Sequence, residues 1–122
     1  PIFGYIYLGY MLNKDKFKIN GESFNFGPIL RKNYTVKVLL NKIQKYIPKI
    51  KWKVSNNKNK IIEAGLLNLN SKKTSDLIKW KNILNFDQSV LLTADWYKTY
   101  FEKKNMYKKS VTQINQYMKK LN

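Results

Sequence analysis

The chain has 122 residues, about the length of one ordinary domain, and its 43% hydrophobic and 15% aromatic content is enough for one packed core. It contains no cysteine and no histidine, which excludes disulfides, thiolate and imidazole catalysis and the usual zinc ligands. The formal net charge is +17, from 24 basic and 7 acidic residues, and this predicts either a polyanionic partner or an extensive lysine-covered surface.

The first part of the chain predicts an apolar element followed by extended chain. Residues 1–12 are apolar and aromatic, and periodicity alone does not separate helix from strand there. The run is too short to span a bilayer, so we expect no membrane partner. The lack of cysteine fits a reducing, cytoplasmic location, which is the location we expect. Residues 17–19 and 23–26 read as extended segments, with Asn20 and Gly21 as the turn between them.

The middle of the chain predicts a helix and two strands. Thr35 can cap a helix that Pro48 ends. Its apolar residues recur at intervals of three and four: Val36, Leu39, Ile43 and Ile47. Apolar residues alternate with lysines over residues 50–54, which is typical of a half-buried strand, and the mixed apolar run 61–69 predicts another strand.

The last third of the chain predicts three helices. The first covers residues 71–79, and Asn85 or Asp87 caps the second. The apolar face of the second helix is Val90, Ala94, Tyr97 and Phe101. Ser110 and Gln113 have capping-box spacing and open the final helix. The expected fold class is therefore α/β, or α+β as an isolated piece, mostly helical with a few short strands.

Motifs for chemistry are scarce in this sequence. The 5 glycines form neither the Gly-x-Gly-x-x-Gly loop of dinucleotide sites nor a phosphate-binding P-loop. No pair of carboxylates has the spacing of an acid–base couple, so no catalytic residue and no metal ligand is predicted. Glu63 interrupts an apolar run, either as a solubility device on an edge strand or as a ligand contact. Aromatic residues and a lysine interleave over residues 96–101, where they either stack bases or form core and rim.

The origin of the positive charge has two interpretations. Arg31 is the one arginine, and the lysines are spread along the chain rather than gathered in one block. Proteins that clamp phosphates favour arginine, because its planar fork binds two acceptors at once. We therefore favour solvated lysine faces, with a small basic nucleic-acid-binding or ribosome-associated protein as the alternative.

Five segments of the chain resemble one enzyme family, in the same order and spacing. Residues 1–8 (Pro-Ile-Phe-Gly-Tyr-Ile-Tyr-Leu) resemble a Pro-Leu-Ser-Gly-Tyr-Leu segment, and residues 21–28 (Gly-Glu-Ser-Phe-Asn-Phe-Gly-Pro) differ from the family's segment at one position. Further similar segments are 63–69, 93–98 and 105–117. On this basis the chain resembles the C-terminal region of the CDP-glucose 4,6-dehydratases, which are extended short-chain dehydrogenase/reductases.

The resemblance implies that residues 1–122 form the substrate-binding C-terminal subdomain of such an enzyme. It implies that residues 1–12 are a helix that carries the chain in from a Rossmann domain outside this sequence. It also implies a substrate site in which Asn25 faces the cleft, Lys60 faces the diphosphate and Glu63 accepts a hydrogen bond from a sugar or ribose hydroxyl. A cation at the diphosphate and a carboxylate at hydroxyls are chemically matched partners.

The activity implied is that of a lyase of deoxysugar and surface polysaccharide biosynthesis. In the family, NAD accepts hydride from C4 of the glucosyl unit, water leaves across C5–C6 and the hydride returns to C6. The glycine-rich NAD loop and the catalytic residues of the family are not in this sequence. The chain is therefore expected to bind CDP-sugar but no NAD by itself, to be inactive alone and to pair with a Rossmann half or a homologous chain.

The chain also departs from the family pattern at one corner. The family's Leu-Gly-Trp-Lys-Pro turn is replaced by residues 78–82, Ile-Lys-Trp-Lys-Asn, so that Lys79 stands at the glycine position and Asn82 at the proline position. Losing glycine and proline predicts a looser corner. The family's histidine before Glu-Ala is Ile62 here, and an aspartate is replaced by Asn70.

Overall fold

The computed structural model of the chain describes residues 1–14, 16–28, 33–54 and 69–121. Throughout these ranges the regular secondary structure is helical, and no residue lies in a β-strand. The helices are α1 (Ile2–Lys14), α2 (Lys16–Ile19), α3 (Val36–Tyr46), α4 (Lys72–Ile78), α5 (Phe86–Phe101) and α6 (Met106–Met118). The predicted mostly helical character is confirmed, whereas the short strands are missing from the described part.

The chain divides into two compact units, each made of two segments. Unit 1 comprises Pro1–Arg31 and Ile61–Asn82, and unit 2 comprises Lys32–Lys60 and Ile83–Asn122. Unit 1 therefore contains α1, α2 and α4, whereas unit 2 contains α3, α5 and α6.

Unit 1 is built around a small apolar core. Its buried members are Ile19, Phe26, Ile78 and Trp80. Apolar residues of α1 pack against this core together with the half-buried Phe24. The Phe26 and Trp80 rings meet edge to face, with centroids 5.1 Å apart and planes at 86°. The helix that the resemblance implied for residues 1–12 is present as α1.

The two extended segments predicted between residues 17 and 26 have different outcomes. The strand prediction at 17–19 is wrong, because these residues lie in α2, whose Ile19 is buried in the core. Residues 22–28 are not helical, and they pair with no strand among the residues that the structure describes. Their carbonyls are satisfied by side chains instead: Thr74 Oγ1 donates to the Asn25 carbonyl at 2.7 Å and Ser71 Oγ donates to the Gly27 carbonyl at 3.0 Å. Hydroxyl groups of α4 thus replace the hydrogen bonds of a neighbouring strand.

The corner after α4 keeps a backbone conformation that favours glycine. Lys79, at the C-cap of α4, has φ 58° and ψ 15° in the left-handed region. Side chains with a Cβ occupy this region at a cost of roughly 1–2 kcal/mol, and glycine does so freely. The next residue, Trp80, returns into the core with 6% of its surface exposed. Lys79 thus forms the turn that leads into Trp80, although it carries a side chain.

Replacing Lys79 with glycine should relieve this conformational cost. We expect Lys79→Gly to raise the free energy of unfolding by about 0.5–1 kcal/mol, since part of the relief is offset by the greater freedom of an unfolded glycine chain. Urea unfolding followed by circular dichroism measures the change. Lys81→Gly is the matched control, because Lys81 is also exposed but has no positive φ, and it should stabilise nothing. Equal stabilisation by both variants would contradict the left-handed conformation of Lys79 as the source of the conformational cost.

Unit 2 consists of α3, α5 and α6, and two of its three helix starts follow the sequence prediction. The Thr35 hydroxyl accepts from the Val38 N–H at 3.3 Å, and α3 ends at Tyr46, two residues before Pro48. Asn85 caps α5 in a capping box with Gln88. Polar contacts then tie α6 to α5: Gln113 Nε2 donates to the Leu92 carbonyl at 2.9 Å.

Two other predictions in unit 2 need correction. Helix α6 begins at Met106 rather than at Ser110, because the Asn105 side chain caps it by accepting from the Lys108 N–H at 2.9 Å. Ser110 Oγ instead accepts from the Trp96 indole N–H at 3.0 Å. Residues 50–54 form no strand. Most of the run 61–69 lies outside the described residues, so its strand remains a prediction.

The predicted apolar face of α5 is buried only along its first half. Val90 and Ala94 are 4% and 1% exposed, whereas Tyr97 and Phe101 are 49% and 63% exposed. The first half of α5 is therefore core, and its last turns present aromatic rings at the surface.

Candidate functional site

The one predicted site residue that the structure describes is Asn25. It stands between two aromatic residues, the buried Phe26 and the half-buried Phe24, which both pack on the core of unit 1. Its own side chain is exposed, and its Nδ2 donates to the Asn70 carbonyl at a long 3.3 Å. Two phenylalanine anchors thus hold the backbone while the amide stays available at the surface.

The backbone beneath Asn25 is held by the start of α4. Thr74 is fully buried at 0% exposure, and its hydroxyl donates to the Asn25 carbonyl. Ser71, 5% exposed, makes the equivalent bond to Gly27. Buried polar groups of this kind are costly to leave unpaired, so both bonds fix the position of the segment 22–28. The sequence analysis did not identify Ser71 or Thr74. Their position beside the apolar Ile78 on one predicted helix was the pattern that could have indicated them.

Helix α1 approaches the same segment at a glycine. A Cβ on Gly4 would lie 2.3 Å from Cδ1 of the Phe26 ring, so that ring rests directly on the α1 backbone. Tyr5 meets the Phe26 ring from the side, edge to face, at 5.2 Å. The sequence alone gave no reason to single out Gly4, since a glycine within an apolar run has many roles.

A lysine and a carboxylate lie on the exposed side of the same segment. Lys73 forms an ion pair with Glu22, and its ammonium lies 5.4 Å from the centroid of the Phe24 ring. Such exposed contacts are individually weak. They nevertheless place one positive group on the part of unit 1 that presents Asn25.

The other two predicted site residues, Lys60 and Glu63, lie outside the described residues. Their roles toward the diphosphate and toward a sugar or ribose hydroxyl stay predictions. Throughout the described ranges there is no group of three or more side chains suited to holding a metal ion.

Comparisons with protein-family models, curated proteins and solved structures give no match to this chain. None of the helices in the described ranges combines the length and apolar character needed to cross a membrane.

Proposed function

We propose that the chain is the sugar-nucleotide-binding C-terminal part of a CDP-glucose 4,6-dehydratase-like enzyme. The observation that carries this proposal is the arrangement of residues 21–28, the segment with the closest resemblance to that family. Both of its phenylalanines pack on the core, two hydroxyls of α4 hold its backbone and the Asn25 amide is exposed. This is a rigid backbone that presents one polar group, which is what a substrate-positioning segment requires.

Two features of unit 1 support the proposal independently. Lys79 adopts the left-handed conformation at the position where the family segment has glycine. The tryptophan that follows in the family segment corresponds to Trp80, which is buried here. A turn that persists after its glycine has been replaced is expected when the surrounding fold requires it.

The exposed face of α1 also supports the proposal. Four large apolar or aromatic side chains recur at helical spacing along this face, and more than half of each is exposed: Ile2 75%, Tyr5 61%, Ile6 66% and Tyr10 52%. Contiguous apolar patches of this kind mark surfaces that another protein surface covers. In the proposed enzyme the Rossmann domain would cover this helix.

The part assigned to the chain is binding and orientation of the sugar nucleotide. Asn25 would hydrogen-bond the ligand, Lys60 would neutralise the diphosphate and Glu63 would accept from a hydroxyl. NAD does not fit the residues of this chain, since the glycines form no dinucleotide loop. We therefore derive no step of the dehydration from these residues.

Calorimetric titration with CDP-glucose tests the proposal, on the chain alone and mixed with a Rossmann half from a related enzyme. We expect CDP-glucose to bind. Asn25→Ala should raise the dissociation constant about two- to tenfold, because the variant loses one neutral hydrogen bond to the ligand. Asn41→Ala is the matched control, because Asn41 is an exposed asparagine of α3 in unit 2, and it should leave the affinity unchanged. A folded chain that binds no CDP-glucose under either condition would refute the proposal.

A further inference from the structure

The carboxylates in the described part of the chain are all engaged by lysines. The ion pairs are Lys42–Asp87, Lys72–Asp76, Lys73–Glu22, Lys104–Glu102 and Lys109–Asp95. The remaining lysines of these ranges form no such ion pair, and two of them lie close together.

They converge at the junction of α5 and α6. An open cleft of about 470 Å³ lies between the last turns of α5 and the first turns of α6. Its charged lining residues are Lys98, Lys104, Lys108, Lys109, Asp95 and Glu102. Lys104 and Lys109 form ion pairs with the two carboxylates, whereas Lys98 and Lys108 form no ion pair among the described residues. The cleft thus carries a net charge of +2 from four lysines and two carboxylates.

The two carboxylates of the cleft stay ionised. Partial burial acts to raise the pKa of Asp95, but hydrogen bonds from Lys109 and Gln113 outweigh it, and the pKa lies below its ordinary value. The hydrogen bond from Lys104 likewise lowers the pKa of Glu102. The charge of Lys98 also lowers both pKa values, although Lys98 forms no ion pair with either group. Both carboxylates therefore keep their ion-pair partners at neutral pH, and Lys98 and Lys108 are the cleft lysines that no ion pair engages.

An apolar groove adjoins the basic cleft. It has a volume of about 480 Å³ and lies between the end of α3 and the end of α5. Lys98 and Glu102 line both the groove and the cleft, so the two spaces lie next to each other. The groove is walled by Tyr46, Pro48, Ile50 and Phe101, with Lys49 at its edge. The Phe101 ring contacts the rings of Tyr97 and Tyr100 and is nevertheless 63% exposed.

We propose that this composite surface of unit 2, the α5–α6 cleft with its adjoining groove, binds single-stranded nucleic acid. Single strands present phosphates and unpaired bases side by side, and the surface presents unpaired lysines and an open aromatic ring side by side. Lys98 and Lys108 contact phosphates in the cleft, Lys49 contacts another at the groove, and Phe101 stacks on a base. The site uses unit 2 only and does not depend on the sugar-nucleotide site of unit 1.

Fluorescence anisotropy with a labelled oligo(dT) of about 12 nucleotides measures this binding. With three lysines on phosphates, the logarithm of the affinity should fall with the logarithm of salt concentration at a slope of about −2.1, which is about twentyfold between 50 and 200 mM salt. Lys98→Gln combined with Lys108→Gln should weaken binding and reduce the slope to about −0.7. The matched control is Lys119→Gln with Lys120→Gln, which removes the same charge beyond α6 and should leave the slope near −2.1.

A second variant tests stacking separately from charge. Phe101→Ala should weaken oligo(dT) about fivefold or more, and it should leave the affinity for heparin, which has charge but no bases, unchanged. Because Phe101 and both lysines are exposed, the variants should keep the circular dichroism spectrum of the parent chain. Equal effects of the two lysine pairs, or a Phe101→Ala variant that binds oligo(dT) normally, would show diffuse charge binding and overturn the proposal. Excess CDP-glucose should not displace the oligonucleotide.

Discussion

Replacing Ile78 with alanine should lower the free energy of unfolding by about 2–5 kcal/mol. Ile78 is 0% exposed and lies in the core cluster with Ile19, Phe26 and Trp80. Truncation removes apolar surface from the interior and leaves a cavity that the aromatic rings cannot fill without losing their edge-to-face contact. Small domains have little stability in reserve, so such a loss is close to unfolding unit 1.

Leu77→Ala is the control for Ile78→Ala. Leu77 is the preceding residue of α4, has a side chain of the same size and is 48% exposed. Its truncation should change stability by well under half of the effect at Ile78, because an exposed site leaves no cavity. Urea unfolding followed by circular dichroism gives the two free energies, and hydrogen exchange in α1 and α4 locates the loss. If the two variants prove equally stable, Ile78 is not in the core.

Gly4→Ala should destabilise the chain by about 1–3 kcal/mol although alanine is the better helix former. The added Cβ would lie 2.3 Å from Cδ1 and 2.8 Å from Cε1 of the Phe26 ring. That ring cannot swing away, because it is 6% exposed and is fixed against Tyr5 and Trp80. Either α1 or the segment 22–28 must therefore shift.

Gly9→Ala separates this clash from the helix propensity of alanine. Gly9 lies in the same helix, and a Cβ there would meet nothing within 4 Å. The variant should be stabilised by about 0.5–1 kcal/mol, the usual gain for replacing a helical glycine. Opposite signs for the two glycines are the expected result. Stabilisation at both positions would mean that α1 does not rest on Phe26.

The same two substitutions bear on the proposed function. Asn25 precedes Phe26, and its carbonyl is held by Thr74 of the helix that carries Ile78. A shift of Phe26 in Gly4→Ala would displace Asn25, so CDP-glucose affinity should fall with the Gly4 substitution and stay unchanged with the Gly9 substitution. The oligonucleotide affinity of unit 2 should respond to neither variant, which keeps the two proposed sites experimentally distinct.

Much of the helical structure was predictable because its signals are local. The caps at Thr35 and Asn85 are made within three residues of the capping side chain, and Pro48 blocks the continuation of α3 by its own ring. The resemblance supplied the helix at residues 1–12, which periodicity left open. The start of α6 was missed because Asn105 and Ser110 are both valid local caps, and a tertiary hydrogen bond from Trp96 engages Ser110.

Of the candidate site, the sequence indicated Asn25 but not the groups that hold it. Thr74 follows Asn25 by 49 residues, and Ser71 follows Gly27 by 44. No local pattern connects such positions, because a hydroxyl on a helix is most often solvated or bonded to its own turn. The sequence indicated that residues 23–26 lie outside any helix, whereas the side-chain hydroxyls that bond this segment were visible only in the fold.

The sequence by itself determined the helix caps, the length of α3 and the excess of positive charge, since each depends on neighbouring residues or on simple counting. Only the tertiary structure decided which parts of each apolar face are covered: Val90 and Phe101 share one face of α5, yet Val90 is buried and Phe101 is exposed. It also decided which lysines form ion pairs with carboxylates and which do not. Burial and pairing depend on what other segments bring within a few ångströms, and periodicity along one segment carries no information about that.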